Sequence, residues 1–374
     1  MRVLVTTFPS IGHFHPVAPL ALALSAAGNE VLVATGPDLV GWVRRCGLPA
    51  ASAGLRQQEA VRRARVSVAP GRAFGLHMFA EVTPAPMLAD LRALARRWPP
   101  DLIVHEEGEY AGPLLAASLD RPCVTHSWPA PVLPADARRR AEEGLEPLWR
   151  DLTNRPARLT GDLYLDACPP PLQSADIRSI PAVTVVRPDP FDGAPSPLPA
   201  RLHRLARPAA YVTFGTVAEF ADPDRLAAVA RATATEVATV VVTCGPNDPA
   251  RIDPSAANVH VESYLPQRQL LRQSDVVVSH GGAGTAAGAL MAGLPQLLLP
   301  QGAPSQQRIA QRLSDIRVGL SLSPEQQGEG RVRRHVQELL QDPSFAETAH
   351  RVARDLQQLP GPERVIAEIL DLCR

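Results

Sequence analysis

The 374-residue chain contains no lysine, because all 38 of its basic residues are arginine. A Schiff-base mechanism and a phosphate loop built on a lysine are therefore excluded. Cysteine is scarce and scattered. Cys46, Cys123, Cys168, Cys244 and Cys373 are odd in number and show no C-x-x-C spacing, which argues against a disulfide frame or a zinc site and for a reducing compartment. No apolar run reaches membrane-spanning length, and the opening MRVLVTTFPS reads as a strand rather than the core of a signal peptide. The 38 acidic residues balance the 38 basic ones, so no charge excess points to nucleic acid or a membrane surface. A soluble, cytoplasmic protein is expected, with no metal, no nucleic-acid partner and no membrane insertion. Pairing with a second copy as a homodimer is left open.

What is present is a repeated alternation of strands and helices. RVLVTT (2–7), a helix over 16–28 and EVLVAT (30–35) form a βαβ unit, followed by strands at 101–106 and 122–127 around the helical AGPLLAASL. Proline crowds residues 186–208, and a second alternation begins at AAYVTFG (209–215). The length exceeds what one core usually fills, so two parallel-sheet α/β domains are expected. The domain boundaries read as 1–190, a linker at 191–208, a second domain at 209–355 and a closing helix at 356–374 that packs back on the first domain. A crevice between two such domains, at the carboxyl ends of both sheets, is where ligands bind.

Three motifs fall at those strand ends. SHGGAGTAAGALMAGLP (279–295) follows the buried strand DVVV and holds three glycines within four residues. Bare backbone and a helix starting near Thr285 can hold a diphosphate without lysine. A dinucleotide fingerprint at Gly282, Gly284 and Ala287 competes with this, but the following strand ends in Gln301 with no acid nearby, which disfavours NAD. IGHFHP (11–16) places His13 after the first strand, where an imidazole can take a proton from a hydroxyl. His15 is a second histidine there; without other clustered ligands the pair does not suggest a metal. HEEGEY (105–110) offers Glu106, Glu107 and Glu109, one of which can orient that imidazole. Asp222 and Pro223 in DPD read as a helix start rather than a metal pair.

These segments together resemble glycosyltransferase family 1, in its bacterial natural-product branch. GHFHPVAPLALALSAAGNEV (12–31) is similar to the family's opening, PDLIVHEEGEYAGPLLAASLDRPCVTH (100–126) to its acidic-partner segment, and YVTFGT (211–216) to its entry into the second domain. VESYLPQRQLLRQSDVVVSHGGAGTAAGALMAGLPQLLLPQ (261–301) looks like its nucleotide-sugar signature. The resemblance implies the GT-B fold, two doubly wound Rossmann-like domains, and metal-independent, inverting transfer of a sugar to a hydroxyl. It places His13 as the base and Glu106 as its partner, with Glu107 and Glu109 close enough to compete. Gly215, Thr216, His280, Gly281, Gly282, Ala283, Gly284 and Thr285 would hold the diphosphate, and Leu265, Pro266 and Gln267 the nucleobase.

Two departures from the family pattern bear on the donor. Gly288 stands where the family often has an acid for the ribose hydroxyls, which favours a dTDP-sugar over a UDP-sugar as co-substrate. PQGAPSQQ replaces a segment that carries Asp-Gln, leaving Ser305 and Gln306 as the nearest sugar contacts. A lost carboxylate removes a charge-assisted hydrogen bond of about 1.5 to 3 kcal/mol, which disfavours glucose and favours a deoxysugar. The region 55–90 is expected to line a pocket for a hydrophobic aglycone such as a polyketide, with Phe74, His77, Met78 and Phe79 joined by Gly12 and Trp128. A helix core at FGLHMF is the competing reading of that segment. A nucleotide-sugar epimerase and a non-catalytic homologue are the alternative functions.

Overall fold

The computed structural model describes residues 1–153, 156–194, 196–217, 220 and 222–374. Its first sheet has seven parallel strands: β1 (Arg2–Thr6), β2 (Glu30–Thr35), β3 (Ala50–Ser52), β4 (Leu102–Glu106), β5 (Cys123–His126), β6 (Leu163–Asp166) and β7 (Val183–Val185). They lie in the order β3-β2-β1-β4-β5-β6-β7. The second has six: β8 (Ala209–Thr213), β9 (Thr239–Thr243), β10 (Val259–Glu262), β11 (Val276–Ser279), β12 (Gln296–Leu298) and β13 (Gly319–Ser321). Their order is β10-β9-β8-β11-β12-β13.

Near-continuous apolar strands such as VVVS at Val276–Ser279 are buried on both faces, as parallel strands covered by helices must be. In each sheet the strand order reverses beside its first strand, between β1 and β4 and between β8 and β11. Chain leaving these neighbouring strands diverges to opposite faces and opens a crevice there. The chain is two Rossmann-like domains with an interdomain cleft.

One apolar cluster crosses between the halves, joining Ala130, Cys168 and Leu172 to Ala286, Leu290 and Ile309. The last helix (Ile366–Asp371) returns to the first sheet: Val365 and Ile369 share a core cluster with Val3, Phe14 and Leu20, and Glu368 accepts from the Thr184 hydroxyl at 2.7 Å. The proline-rich connection carries one short 3-10 turn, Ala200–Leu202, and its Pro195 lies outside the described residues.

Two helix starts differ from the sequence expectation. The helix α1 begins at Ile11, five residues before the expected Pro16, and runs to Ala26 with Pro16 and Pro19 inside it. His13 is therefore on a helical first turn and not in a loop. Proline is poor evidence of a boundary here because the turn is held from outside by tertiary contacts. The glycine-rich helix begins at Ala283, not Thr285, and spans Ala283–Met291 with Gly282 as its N-cap. Asp222 caps its helix as expected, accepting from the backbone N–H of Asp224 at 3.0 Å and Arg225 at 3.3 Å.

Candidate active site

Strand β1 ends at Thr6, paired with His105 of β4, so the chain segments that follow the two strands emerge side by side. His13 lies on the helix that follows β1, and Glu106 is the last residue of β4. The His13 Nδ1 lies 2.9 Å from Glu106 Oε1. The carboxylate can only accept, so Nδ1 carries the proton and Nε2 keeps a free lone pair. Among the described residues Nε2 has no hydrogen-bond partner.

Glu106 is fully buried and each of its oxygens is occupied. Oε1 also accepts from the Phe8 N–H at 3.1 Å. Oε2 accepts from the Gly108 N–H at 2.8 Å and from Trp128 Nε1 at 2.7 Å. Burial pushes its carboxyl upward, but the charge and hydrogen bond of His13, with the Gly108 and Phe8 N–H groups, outweigh burial and hold it below the usual range. It is ionised at neutral pH.

The other two glutamates are engaged elsewhere. Glu109 accepts from the backbone N–H of Ala111 at 2.6 Å and Gly112 at 2.9 Å, supplying the free donors at the start of the helix Ala111–Leu119. Glu107 accepts from the Tyr164 hydroxyl at 3.0 Å and from the Trp128 N–H at 3.3 Å. Burial pushes both carboxyls up to about 7.

Aromatic rings box in the imidazole. Ring centroids of Phe8, Phe79 and Trp128 lie 5.0, 5.3 and 4.8 Å from that of His13, leaving its side chain 17% exposed. Of the candidate acceptor contacts, Phe79 and Trp128 thus lie beside His13, and Gly12 is exposed next to it. His77 is directed away from such a role. It is buried, with Nδ1 at 3.0 Å from Glu81 Oε2 and Nε2 at 2.7 Å from Ser67 Oγ. Met78 is buried as well, and Phe74 lies at the surface. FGLHMF is therefore largely a packed helical segment whose one ring toward the base is Phe79. Phe8 was not anticipated, although its place between β1 and His13 is a usable signal.

In the second sheet the turns that follow β8 and β11 come together. Gly215, after β8, has φ of +77°, and a Cβ there would lie 2.7 Å from the His280 Cε1; only glycine serves both demands. Gly281 follows His280, and Gly282 caps the helix whose first residues are Ala283, Gly284 and Thr285. Their backbone N–H groups have no partner within the helix and carry its positive end. Thr216 is half-buried beside Gly215. Burial pushes the His280 imidazole down to about 4, so it is neutral and not the positive group its position suggests. Phe220, unforeseen from the sequence, stacks on it at 30° with centroids 6.0 Å apart.

Leu265 and Pro266 are buried and Gln267 is half-buried at the exit of β10. A Cβ on Gly288 would lie 3.5 Å from Gln267 Oε1, so the position with the missing acid does adjoin this segment. Gly288 also borders a cavity of about 820 Å³ shared with Phe191, Arg268 and Leu271. Ser305 and Gln306 sit in the first turn of the helix Pro304–Asp315. The Gln306 amide oxygen accepts from the Gln301 N–H at 2.7 Å, fastening the loop, while Ser305 is half-buried. No group of three or more His, Cys, Asp or Glu side chains converges in metal-binding fashion among the described residues.

Two sheets that turn their switch points toward each other leave room for two substrates at once, one per domain. That is the architecture of a GT-B glycosyltransferase, and the chain is one. Models of the erythromycin biosynthesis protein CIII-like N-terminal and C-terminal domains match residues 22–206 and 227–372, and the chain belongs to this family of bacterial natural-product glycosyltransferases. It is 31% identical to the L-demethylnoviosyl transferase of Streptomyces niveus, over 98% of this chain and 97% of that protein. The crystal structure of the glycosyltransferase SnogD from Streptomyces nogalater superposes with a TM-score of 0.82 at 30% identity, covering 100% of this chain and 99% of that one. The Streptomyces sp. SF2575 glycosyltransferase SsfS6, complexed with thymidine diphosphate, gives 0.84 at 26% identity, with 99% of each chain covered.

Proposed function

We propose that this enzyme transfers a sugar from a thymidine diphosphate donor to a hydroxyl of a hydrophobic natural product, inverting the anomeric carbon. The observation that carries the reading is the His13 Nδ1–Glu106 contact of 2.9 Å, which leaves Nε2 as a base. His13 Nε2 takes the proton of the acceptor hydroxyl as its oxygen attacks the anomeric carbon. The bond from that carbon to the diphosphate oxygen breaks on the opposite face, and the electron pair leaves with the diphosphate. Glu106 stabilises the imidazolium that forms, and base catalysis of this kind contributes roughly 10²- to 10⁴-fold.

Charge developing on the leaving diphosphate is met by the N–H groups of Ala283, Gly284 and Thr285, beside the neutral His280, and by the turn at Gly215 and Thr216. A divalent cation is not required in this scheme. Leu265, Pro266 and Gln267 take the nucleobase. Thymidine diphosphate is supported by Gly288, which has no carboxylate for a ribose 2′-hydroxyl, and by the nucleotide bound to SsfS6. A deoxysugar is supported by the segment at 304–306, where Gln306 is half committed to Gln301 and no acid awaits a full set of sugar hydroxyls. The rings of Phe8, Phe79 and Trp128 suit an apolar acceptor placed against His13.

His13→Ala is the direct test. Turnover is expected to fall by about 10²-fold or more, with calorimetric affinity for dTDP within a few-fold. Near-normal turnover with a hydroxyl acceptor would show that another group takes the proton.

A further inference from the structure

The turn that carries His13 is closed by the His13 and Phe14 N–H groups on the Ser10 carbonyl, at 3.1 and 3.0 Å, but the bonds that should follow it are incomplete. Pro16 and Pro19 lie inside α1 and bring no N–H, so the carbonyls of Gly12 and His15 lose the bond normally given from four residues on. Ser10 precedes the helix without a side-chain capping bond. A base whose nitrogen must be placed to within a fraction of an ångström thus depends on outside contacts.

Glu106 supplies them on one side. Two residues along a helix rotate the direction by roughly 200°, so His15 faces the other way. Its Nε2 accepts from Trp42 Nε1 at 3.2 Å, Trp42 belonging to the short helix α2 (Val40–Arg45). The rings stack at 26° with centroids 5.9 Å apart. Phe191 of the linker meets the same imidazole edge-on at 5.2 Å and hydrogen-bonds it through its backbone. Burial pushes the imidazole down to about 4, so it is neutral, and with its proton on Nδ1 its Nε2 is free to accept.

Trp42 also reaches the second domain. Tyr264 packs against it edge-on, at 82° and 5.5 Å, directly before Leu265, Pro266 and Gln267. The Tyr264 hydroxyl donates to the Asp192 carbonyl at 3.0 Å, and the Asp192 carboxylate accepts from the Arg268 N–H at 2.9 Å. Gly193, with φ of +81°, passes so close that a Cβ would lie 2.6 Å from Trp42 Cζ2. The indole is enclosed by α1, the linker and the loop after β10.

We propose that His15 and Trp42 are positioning residues, a latch that seats the proline-weakened turn of α1, and with it His13, against the loop that takes the nucleobase. The inference rests on His13 being the base. Neither residue touches the reacting atoms. The latch sets where Nε2 of His13 points relative to a donor held in the other domain, so its loss lowers kcat and leaves nucleotide affinity in place.

The experiment is a double-mutant cycle in the full-length protein, with kcat, donor KM, calorimetric Kd for dTDP and the melting temperature measured for each variant. His15→Leu and Trp42→Phe both delete the hydrogen bond between the two rings while keeping bulk, and His15→Leu also loses the bond to the Phe191 backbone. Each is expected to lower kcat about tenfold, with Kd for dTDP within twofold, and the double variant to be no worse than either single one. His15→Gln, whose amide oxygen can stand near Nε2, is expected to recover kcat to within about threefold of the parent. Unchanged kcat in the folded fraction, additive losses in the double variant, or weakened dTDP binding at constant kcat would each overturn the latch. The outcome for His13→Ala separates the two readings: retained turnover there removes the base assignment, whereas the cycle between His15 and Trp42 is read independently of it.

Discussion

At Glu106, four donors converge on one carboxylate: the Phe8 and Gly108 N–H groups, the Trp128 indole and the His13 imidazole. Such a group is useful only while it is an acceptor on both oxygens. Glu106→Gln turns one oxygen into a donor facing donors and removes the charge opposite the imidazolium. Turnover is expected to fall about 10²-fold, checked by steady-state kinetics on protein shown to be folded by its melt. Glu107 carries the opposite lesson. Burial raises its carboxyl to about 7, so the folded state binds this proton more tightly than the unfolded chain. The stability it contributes is fully present below the ordinary glutamate range and is lost as pH rises through about 7. Glu107→Gln keeps an acceptor for the Tyr164 hydroxyl and has no proton to lose. The melting temperature of the parent should therefore decline between pH 5 and pH 8 more steeply than that of Glu107→Gln. Parallel curves would mean that Glu107 does not titrate in this window.

The helix Ala283–Met291 joins two jobs along its length. Its first turn offers bare N–H groups to an anion, while Gly288, one turn and a half further on, lies beside Gln267. A Cβ at Gly288 would come within 3.2 Å of Leu271 Cδ1, a contact that a small shift of that flexible side chain relieves. Gly288→Glu would then place a carboxylate next to Gln267, with the neighbouring cavity giving it room. In the parent, the 2′-hydroxyl of UDP lacks this acceptor, a deficit of about 0.5 to 1.5 kcal/mol. Together with a small apolar gain from the thymine methyl, the parent is expected to bind dTDP roughly three- to thirty-fold more tightly than UDP. The substitution should narrow or reverse that ratio, as read by calorimetric titration with each nucleotide. Equal parental affinities would show that Gly288 does not set the choice.

Across the whole molecule there are two parallel-sheet halves, and the proposed scheme puts the acceptor on one and the donor on the other. In the proposed scheme the positive potential at the diphosphate comes from a helix end. Turnover is accordingly expected to be insensitive to a chelator. Loss of activity in EDTA, restored by magnesium or manganese, would count against this arrangement. The same two-part construction makes contacts between the halves decisive. The cluster joining Ala130 and Leu172 to Leu290 and Ile309 and the ring contact of Trp42 with Tyr264 hold the two halves together.

Period and composition alone carried the two parallel sheets, since apolar runs between helix formers have few other folds. Glycine spacing with no lysine led to the proposed diphosphate site, because only backbone remained to bind the charge. Sequence narrowed the partner of His13 to three glutamates within four residues and could go no further, for all three lie at or just past the end of one strand. Only the tertiary structure decided among them, by spending Glu109 on a helix start and Glu107 on Tyr164. It also decided that α1 begins before its prolines, that His77 is packed away, and that Phe8 meets His13, Phe220 meets His280, and Trp42 meets His15 with Tyr264 behind it. Those outcomes depend on residues far apart in the chain meeting at a sheet edge, and local patterning does not encode such distances.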